Sequence, residues 1–379
     1  MSENQIKLAA LVSYKIFPPE MGGQKGIAFF YQYLEKLIPV SLLTIEENEA
    51  TGFLNAPIIP ILGKSNKWRY INPFLFFRIS SFIKKEKITH LIFEHPYYGW
   101  LAFLLKYFTS IKIIIHSHNI ESLRFKSTGK CWWSILWYYE KLTHRLADHN
   151  FFITDEDRKY AIQKLGLLPD KCLTITYGFE TSHAPSQDLK IQAKNIIKAK
   201  HGIAENENII LFNGTLDYKP NLEALQVILK AINPRLMSAG YKYKIIICGK
   251  NLPASLNELQ DYKEQNIIYA GFVEDINQYF LATEIFINPV NDGGGIKTKL
   301  VEALGFNVSV VSTRSGAIGI PLAIVADKLM VVEDNDWEGF ANKILQIKPD
   351  TPIPDEFFKH FYWGNIAEKA ALFLKQIKK

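Results

Sequence analysis

The chain has 379 residues, which exceeds a single domain of typical size, so we expect two domains of roughly 180 residues each. An apolar fraction of 48% with 22% charged residues is typical of a globular protein and excludes a disordered one. The net charge of +6 belongs to the first 180 residues, which hold 22 basic and 16 acidic side chains. We therefore expect any basic surface in the first half of the chain.

The opening stretch, MSENQIKLAALVSY, has one lysine and a short apolar run, and it lacks the pattern of a signal peptide. The most apolar stretch, residues 97–115, is interrupted by Lys106 and Lys112, so we expect a soluble chain without a spanning helix. Cys131, Cys172 and Cys248 are scattered. They predict reduced thiols in the cytoplasm, with neither a disulfide framework nor a zinc site.

The first half alternates between short apolar runs and longer segments of helical spacing. Strands are predicted at residues 6–14, 39–45, 89–95, 111–116, 149–154 and 172–178. Helices are predicted between them, at residues 24–37, 73–85, 97–107, 132–147 and 155–165. Strands that are apolar throughout and separated by helices indicate a parallel sheet covered on both faces.

A glycine pair follows the first predicted strand, in FPPEMGGQKGIAFF. Gly22 and Gly23 would let main-chain N–H groups approach a ligand, and the start of the helix that follows favours an anion. A turn that only needs positive φ explains the pair equally well. The spacing is not GxGxxG, so it gives no dinucleotide-binding fingerprint.

Two histidines follow the predicted strand at residues 111–116, in IIIHSHNIES. Ligands bind beyond the carboxyl ends of parallel strands, so at least one of His116 and His118 is expected at such a site. His118 could hydrogen-bond a sugar hydroxyl or an oxyanion. The alternative is a histidine that caps the next helix.

The polar stretch at residues 180–208 is interpreted as a hinge and linker followed by a short helix. Further strands are predicted at residues 209–214, 243–249, 266–272, 284–290, 308–313 and 329–334, and a last helix from about 355 to 378. We therefore predict an α/β fold with two doubly wound parallel-sheet domains. Their expected bounds are 1–185 and 186–355, with the helix of 356–379 packing back toward the first domain.

Three glycines lead into a predicted helix over residues 296–305, in NDGGGIKTKLVEALGF. Gly293–Gly295 would leave bare N–H groups at its start, where they could bind a phosphate or a hydroxyl. Lys299 and Glu302 are three residues apart and share a helix face. The lysine could neutralise a diphosphate and the carboxylate could accept two hydrogen bonds from a ribose diol, or the two could form a plain surface ion pair.

These motifs together resemble one known family. The glycine pair and six further segments follow one another as in the retaining glycosyltransferases of bacterial group 1, or family 4. The six segments are HNIES, NGTLDYKPN, IIICGKN, YAGFVEDINQYF, EIFINPVNDGGGIKTKLVEALG and VSVVST. The resemblance covers nearly the whole chain and is most specific around residues 284–313. It implies the GT-B fold, with a nucleotide-sugar such as a UDP-, GDP- or dTDP-sugar in the cleft between two Rossmann-like domains. It also implies sugar transfer to a hydroxyl acceptor without a metal ion or a cofactor.

The resemblance implies roles for individual residues. Glu302 holds the ribose hydroxyls, Val273 lies at the nucleobase, and the two residues assigned to catalysis are His118, at the transferred sugar, and Lys299, at the phosphates. The full set of expected donor-binding residues is Gly22, Gly23, Gly214, Lys219, Gly249, Val273, Gly294, Gly295, Ile296 and Glu302.

Two positions depart from the family pattern. Gly294 stands eight residues before Glu302, where the family has its first glutamate, so that carboxylate cannot recognise the sugar here. Thr215 replaces the usual arginine, and the lysine partner of that arginine is replaced near Asn221. Lys219 lies close enough to substitute, and Lys299 becomes the more important charge.

The acceptor is less defined by the sequence. Residues 66–87 interleave aromatic and basic side chains, and three tryptophans follow between 132 and 137. This pattern suits a lipid-linked acceptor and peripheral contact with the inner face of a membrane, and equally a helix with a buried aromatic side. We expect a cytoplasmic enzyme of cell-surface polysaccharide or glycolipid synthesis. A catalytically silent GT-B subunit and a basic nucleic-acid-binding protein remain alternatives, although no motif supports the latter.

Overall fold

The computed structural model describes residues 6–49, 52–292, 294–348 and 351–377. The chain divides into two compact units, of which the first is Met1–Glu180 with Phe361–Lys379 and the second is Thr181–His360. Each unit is a parallel sheet covered by helices, which confirms the predicted α/β class.

The first unit contains strands β1 to β7 and helices α1 to α6. The strands are β1 (Leu8–Leu11), β2 (Val40–Ile45), β3 (Ile58–Gly63), β4 (His90–Glu94), β5 (Lys112–Ser117), β6 (His149–Phe152) and β7 (Cys172–Thr174). The helices are α1 (Gly22–Leu34), α2 (Phe74–Glu86), α3 (Gly99–Phe108), α4 (Glu121–Ser127), α5 (Trp133–Leu146) and α6 (Asp155–Tyr160). The strands pair in parallel in the order β3-β2-β1-β4-β5-β6-β7.

The second unit repeats this arrangement with strands β8 to β13. They are β8 (Asn208–Asn213), β9 (Tyr243–Cys248), β10 (Ile267–Gly271), β11 (Ile285–Asn288), β12 (Ser309–Thr313) and β13 (Leu329–Val332), in the order β10-β9-β8-β11-β12-β13. The helices are α7 (Gln187–His201), α8 (Lys219–Val227), α9 (Asn233–Ser238), α10 (Ile276–Ala282), α11 (Thr298–Gly305), α12 (Trp337–Gln346) and α13 (Asp355–Phe361). A last helix, α14 (Trp363–Gln376), packs on α1 in the first unit.

The central strands have apolar side chains on both faces because helices cover both sides of each sheet. All four residues of β1 are buried, and β1 pairs with β2 and with β4. The four central residues of β8, Ile209, Ile210, Leu211 and Phe212, are likewise buried and lie on both faces of the sheet. The carboxyl ends of these central strands therefore meet at one edge of each sheet.

Several elements differ from the sequence-based prediction. Strand β3 was not predicted, because its sequence IIPILG contains Pro60, and proline is tolerated in this strand since it lies at the sheet edge. The polar stretch after residue 180 contains a full helix, α7, whose first turn is capped by the Ser186 side chain and whose Ile197 is buried.

The prediction of one helix over residues 355–378 is wrong. The chain becomes extended at Tyr362, between α13 and α14, and pairs there with Phe179. The Phe179 N–H donates to the carbonyl of Phe361 and the Trp363 N–H donates to the carbonyl of Phe179. This pairing satisfies main-chain groups that a continuous helix would have used internally.

None of the helices in the described part of the chain has the length and apolar character needed to cross a bilayer.

Candidate functional site

In the second unit, Lys299 extends from α11 to the carboxyl end of β8. Its ammonium group donates to the main-chain oxygen of Asn213 at 3.2 Å and to the side-chain oxygen of Asn221 at 3.1 Å. The amide of Asn221 donates in turn to the carbonyl of Thr215 at 3.0 Å. Asn221, at the start of α8, therefore connects Lys299 to the loop that follows β8.

The environment of Lys299 disfavours its charge. Burial lowers the pKa of the ammonium group to about 7, and the neighbouring charge of Lys297 contributes to this shift. The Phe212 ring lies 4.7 Å from the ammonium nitrogen and supplies only the weak attraction of an aromatic face. An anion that binds beside Lys299 would therefore raise its pKa and restore the charge.

Two of the predicted glycines lie at the carboxyl edge of the second sheet, where they let the ends of β8 and β9 lie close together. A Cβ atom at Gly249, directly after β9, would come within 1.9 Å of the main-chain oxygen of Gly214. A Cβ atom at Gly214 would come within 2.6 Å of the Asn221 side chain. The structure therefore brings Lys299, Gly214 and Gly249 close together where β8 and β9 end.

The glycine-rich turn differs from the prediction in one respect. Helix α11 begins at Thr298 rather than at residue 296, because Gly295 has φ of +67° and Lys297 is extended. Gly294, Gly295 and Ile296 thus form a turn ahead of the helix, and the Lys297 ammonium donates to the carbonyls of Gly294 at 3.4 Å and Gly295 at 3.1 Å. The predicted contribution of Gly293 lies outside the described residues.

The remaining predicted residues of the second unit are more dispersed. Glu302 is half-buried on α11, one turn after Lys299. Val273 is half-buried in the loop between β10 and α10. Lys219, the first residue of α8, does not contact Lys299. Its side chain is exposed, and its ammonium lies 3.7 Å from the Glu223 carboxylate one turn later in the same helix. The roles of these residues stay predictions.

In the first unit, Gly22 and Gly23 are the first two residues of α1. The Gln24 side chain accepts hydrogen bonds from the main-chain N–H groups of Glu20 and Met21, which fixes the loop ahead of the helix. A Cβ atom at Gly23 would have only an ordinary contact, 3.8 Å, with the Tyr14 hydroxyl. The protein itself therefore has room for a side chain at Gly23, and the role of the glycine pair stays a prediction.

His118 belongs to a buried hydrogen-bonded cluster centred on Glu94, at the end of β4. His118 Nε2 lies 2.6 Å from one carboxylate oxygen of Glu94, and His116 Nδ1 lies 3.2 Å from the other. The Tyr31 hydroxyl donates to this second oxygen. Glu94 thus fixes both histidines from the adjacent strand.

The cluster determines which nitrogen of His118 can meet a ligand. Burial lowers the pKa of His118 to about 4, although the hydrogen bond to Glu94 raises it, so the ring is neutral at pH 7. Burial alone would raise the pKa of Glu94, but the two neighbouring histidines hold it well below its usual range. An ionised carboxylate only accepts, so the proton of His118 lies on Nε2 and Nδ1 is an acceptor. Such a ring suits a ligand hydroxyl better than an oxyanion.

A second buried carboxylate lies beside this cluster. Glu121 accepts hydrogen bonds from the Tyr97 hydroxyl at 2.6 Å and from Arg124 Nε at 3.0 Å. His95, whose ring centroid is 4.6 Å from that of His118, lies 3.7 Å from the Glu121 carboxylate. Its other ring nitrogen lies 3.4 Å from the Tyr14 hydroxyl, which connects the cluster to the start of α1.

Glu94, His116 and His118 are also the candidate metal ligands among the described residues, since their ligand atoms lie within 4.8 Å of one another. The distances of 2.6 and 3.2 Å between nitrogen and oxygen are those of hydrogen bonds. These bonds already use the lone pairs and protons that face each other, whereas the buried Nε2 of His116 has no hydrogen-bond partner among the described residues.

Sequence reasoning missed Glu94 and gave Glu121 and Asn221 no role of their own. Glu94 ends the apolar strand sequence HLIFE, and a carboxylate at the carboxyl end of a buried strand is the signal that could have indicated it. The contact of Asn221 with Lys299 joins residues 78 apart in sequence and has no local signal.

Two family models match the chain. The model described as "Glycosyl transferases group 1" matches residues 207–350, and the model described as "Glycosyltransferase Family 4" matches residues 22–183. The first match contains Lys299 and its neighbours, and the second contains the Glu94 cluster.

Two relatives share sequence with parts of the chain. A chitobiosyldiphosphodolichol beta-mannosyltransferase of Debaryomyces hansenii is 24% identical over 257 residues, which are 62% of this chain and 54% of that protein. An uncharacterized 44.6 kDa protein in the cps region of Klebsiella pneumoniae is 29% identical over 116 residues, 29% of this chain and 30% of that protein. The chain thus spans about half or less of the length of these relatives.

Solved structures share the fold over almost the full length. Anabaena HepE in complex with UDP and glucose has a TM-score of 0.71 at 13% identity, covering 98% of this chain and 100% of that one. A sucrose-phosphate synthase from Thermosynechococcus elongatus has the same TM-score at 14% identity, covering 98% of both chains. With its two parallel-sheet units and its two family matches, the chain belongs to the group 1 and family 4 glycosyltransferases, and its fold is GT-B.

Proposed function

We propose that this chain is a retaining glycosyltransferase that moves a sugar from a nucleotide-sugar to a hydroxyl acceptor. The observation that carries the proposal is the position of Lys299 beside Gly214 and Gly249, where β8 and β9 end. A cation and close main-chain groups at the carboxyl edge of a parallel sheet suit a nucleoside diphosphate. Anabaena HepE, solved in complex with UDP and glucose, supports a UDP-sugar as the first donor to test.

In the proposed reaction the bond between the anomeric carbon and the diphosphate breaks, and the acceptor oxygen bonds to that carbon on the same face. The proton of the acceptor hydroxyl passes to a phosphate oxygen. Lys299 and the first-turn N–H groups of α11 stabilise the charge that grows on the leaving diphosphate. His118, with Nδ1 as acceptor, binds a hydroxyl of the transferred sugar, and no metal ion or cofactor takes part.

The acceptor and the location are part of the same proposal. The cps-region relative and the mannosyltransferase named for a dolichol-linked substrate support a role in polysaccharide or glycolipid synthesis. We propose that the chain acts in the cytoplasm in peripheral contact with the inner face of the membrane.

A thermal-shift screen against UDP-, GDP- and dTDP-sugars tests donor binding directly. We expect one class to raise the Tm of wild type, and we expect Glu302→Ala to lose that shift while it remains folded, because the ribose loses its acceptor. An equal shift in wild type and variant removes Glu302 from the site.

Turnover is the second test. Wild type is expected to release nucleotide from the donor even when EDTA removes metal ions from the assay. His118→Ala is expected to retain donor affinity and to lose most of the turnover. A wild type that binds the donor but neither hydrolyses nor transfers any sugar would instead be the silent GT-B subunit. Dependence on an added metal ion contradicts the metal-independent mechanism.

A further inference from the structure

Most of the aromatic side chains that the structure exposes lie on one part of the first unit. Among the described residues, eight of the ten exposed Phe, Tyr and Trp side chains fall between residues 68 and 138. Scattered exposed apolar residues need no explanation, but a concentration of this kind marks an interaction surface.

Three neighbouring helices provide this surface, each through a pair of residues one turn apart. They are α2, α3 and α5, where α3 packs against both of the others. We call the surface the aromatic face and define it by Phe74, Phe77, Phe103, Tyr107, Tyr138 and Leu142, which are 50–67% exposed.

The aromatic face points away from the core. The opposite sides of α2 and α3 bury Ile79 and Leu101 in the core cluster over the sheet, and Thr143 of α5 is buried as well. Residues three and four apart share a helix face, so each pair presents both side chains to the same side. The Phe103 and Tyr107 rings contact each other, with centroids 4.7 Å apart.

The segment that carries the aromatic face has a large excess of positive charge. Residues 52–147 contain 14 basic and four acidic side chains. Three of the acids, Glu94, Glu121 and Glu140, are buried, so Glu86 is the one carboxylate described in this segment that reaches solvent. Lys84 and Lys85, in the last turn of α2, are exposed.

We propose that the aromatic face docks the chain on a bilayer surface that contains anionic lipids. The inference rests on the membrane contact in the proposed function and gives it a defined surface. Aromatic side chains prefer the boundary between headgroups and acyl chains, and surrounding lysines are attracted to anionic headgroups. Leu142 has no polar atom in its side chain and gains nothing from a polyanion in water, so the composition favours a bilayer over a nucleic acid.

Flotation of the full chain with vesicles tests the proposal. One set is phosphatidylcholine alone and the other contains about 30% phosphatidylglycerol. We expect flotation with the anionic vesicles, little with the neutral ones, and a decrease as salt is added. Phe77→Ser with Tyr107→Ser is expected to reduce the bound fraction about fivefold or more. The matched control is Leu189→Ser with Ile191→Ser on α7, which exposes similar side chains in the second unit.

A second pair of variants tests the contribution of charge to vesicle binding. Lys84→Glu with Lys85→Glu is expected to abolish the preference for anionic vesicles. The matched control is Lys230→Glu with Lys242→Glu in the second unit. Failure of wild type to float with anionic vesicles overturns the proposal. It is also overturned if the aromatic variant floats like wild type while the charge variant does not, since the surface then binds polyanions without inserting.

The donor thermal shift is measured on the same variants, which keeps the two proposals separate. Flotation without any donor shift contradicts only the transferase, and a donor shift without flotation contradicts only the docking surface.

Discussion

At the residue scale, Lys299 is the side chain on which the proposed donor site depends most. It is held by a carbonyl and an amide oxygen, which bind an ammonium group but do not neutralise it. Its lowered pKa means that the site loses charge near neutral pH and regains it when an anion arrives. The same residue should therefore report binding through proton uptake.

We expect the affinity for a nucleoside diphosphate to decrease above pH 7, by up to about tenfold per pH unit. The sign follows from the pKa of about 7: below it Lys299 is already charged, and above it each binding event must take up a proton. Calorimetric titration in buffers of different ionisation enthalpy measures both the affinity and the number of protons taken up on binding. Lys299→Met should bind weakly and without proton uptake, whereas Lys219→Met keeps the pH dependence. Wild-type binding with no proton uptake contradicts the assignment.

Glu94→Gln is expected to change the histidine that it holds. The carboxylate accepts from Tyr31, His116 and His118, and its loss should cost about 2–3 kcal/mol of unfolding free energy in urea. Nitrogen-15 NMR should show the Nε2–H tautomer of His118 in wild type and a mixture in the variant. Tyr31→Phe removes one donor, should cost about 1 kcal/mol and should leave the tautomer unchanged. A pure Nε2–H form in Glu94→Gln argues against positioning by Glu94.

The sequence indicated single polar residues better than it indicated the residues that they contact. Lys299 and His118 could be selected because each stands next to a recognisable local pattern. Glu94 and Asn221 act through contacts between residues far apart in the chain, and such contacts depend on strand order, which the pattern of apolar runs does not specify.

At the element scale, the sequence predicted the central strands well, because buried parallel strands are apolar along their whole length. The prediction from sequence failed where tertiary contacts determine the local structure. At Tyr362, for example, pairing with Phe179 interrupts a helical pattern. The start of α11 was placed too early for a similar reason, since the left-handed Gly295 belongs to a turn. Glycines that look alike in sequence therefore have different physical functions.

Two glycine substitutions should separate these functions. Gly249→Ala places a Cβ atom 1.9 Å from a main-chain oxygen and should cost about 3 kcal/mol or more of unfolding free energy, because β8 and β9 must move apart. Gly23→Ala has space and lies in a helix, so its stability should be unchanged or higher by about 0.5 kcal/mol. Urea unfolding measures both. Similar stability for the two variants refutes the steric argument.

At the scale of the whole molecule, α14 returns the chain to the first unit. Its Trp363, Ile366 and Leu374 are buried, and the Lys369 ammonium donates to the carbonyl of Thr174 at 2.9 Å. The extended residue Tyr362 makes this return possible. The sequence analysis predicted that a terminal helix packs back toward the first domain, whereas its contacts with α1 had no signal in the sequence.

Removal of residues 363–379 should destabilise the first unit alone. Burial of three large apolar side chains contributes on the order of 5 kcal/mol, a large part of the stability of a domain. Scanning calorimetry should show one transition lowered by about 10 °C or more and the other unchanged. Leu374→Ser should have a smaller effect of the same kind, and Leu372→Ser, which is 53% exposed, should have none. A uniform decrease of both transitions argues that the units unfold together.

The return of α14 also has a consequence for biosynthesis. A ribosome completes residues 181–360 before it makes the segment that covers α1, so the later unit has all its parts first. The apolar side of α1 in the first unit therefore stays uncovered until residues 363–376 have been synthesised. Nascent chains should thus acquire protease resistance in the reverse of the usual order, from the second unit to the first.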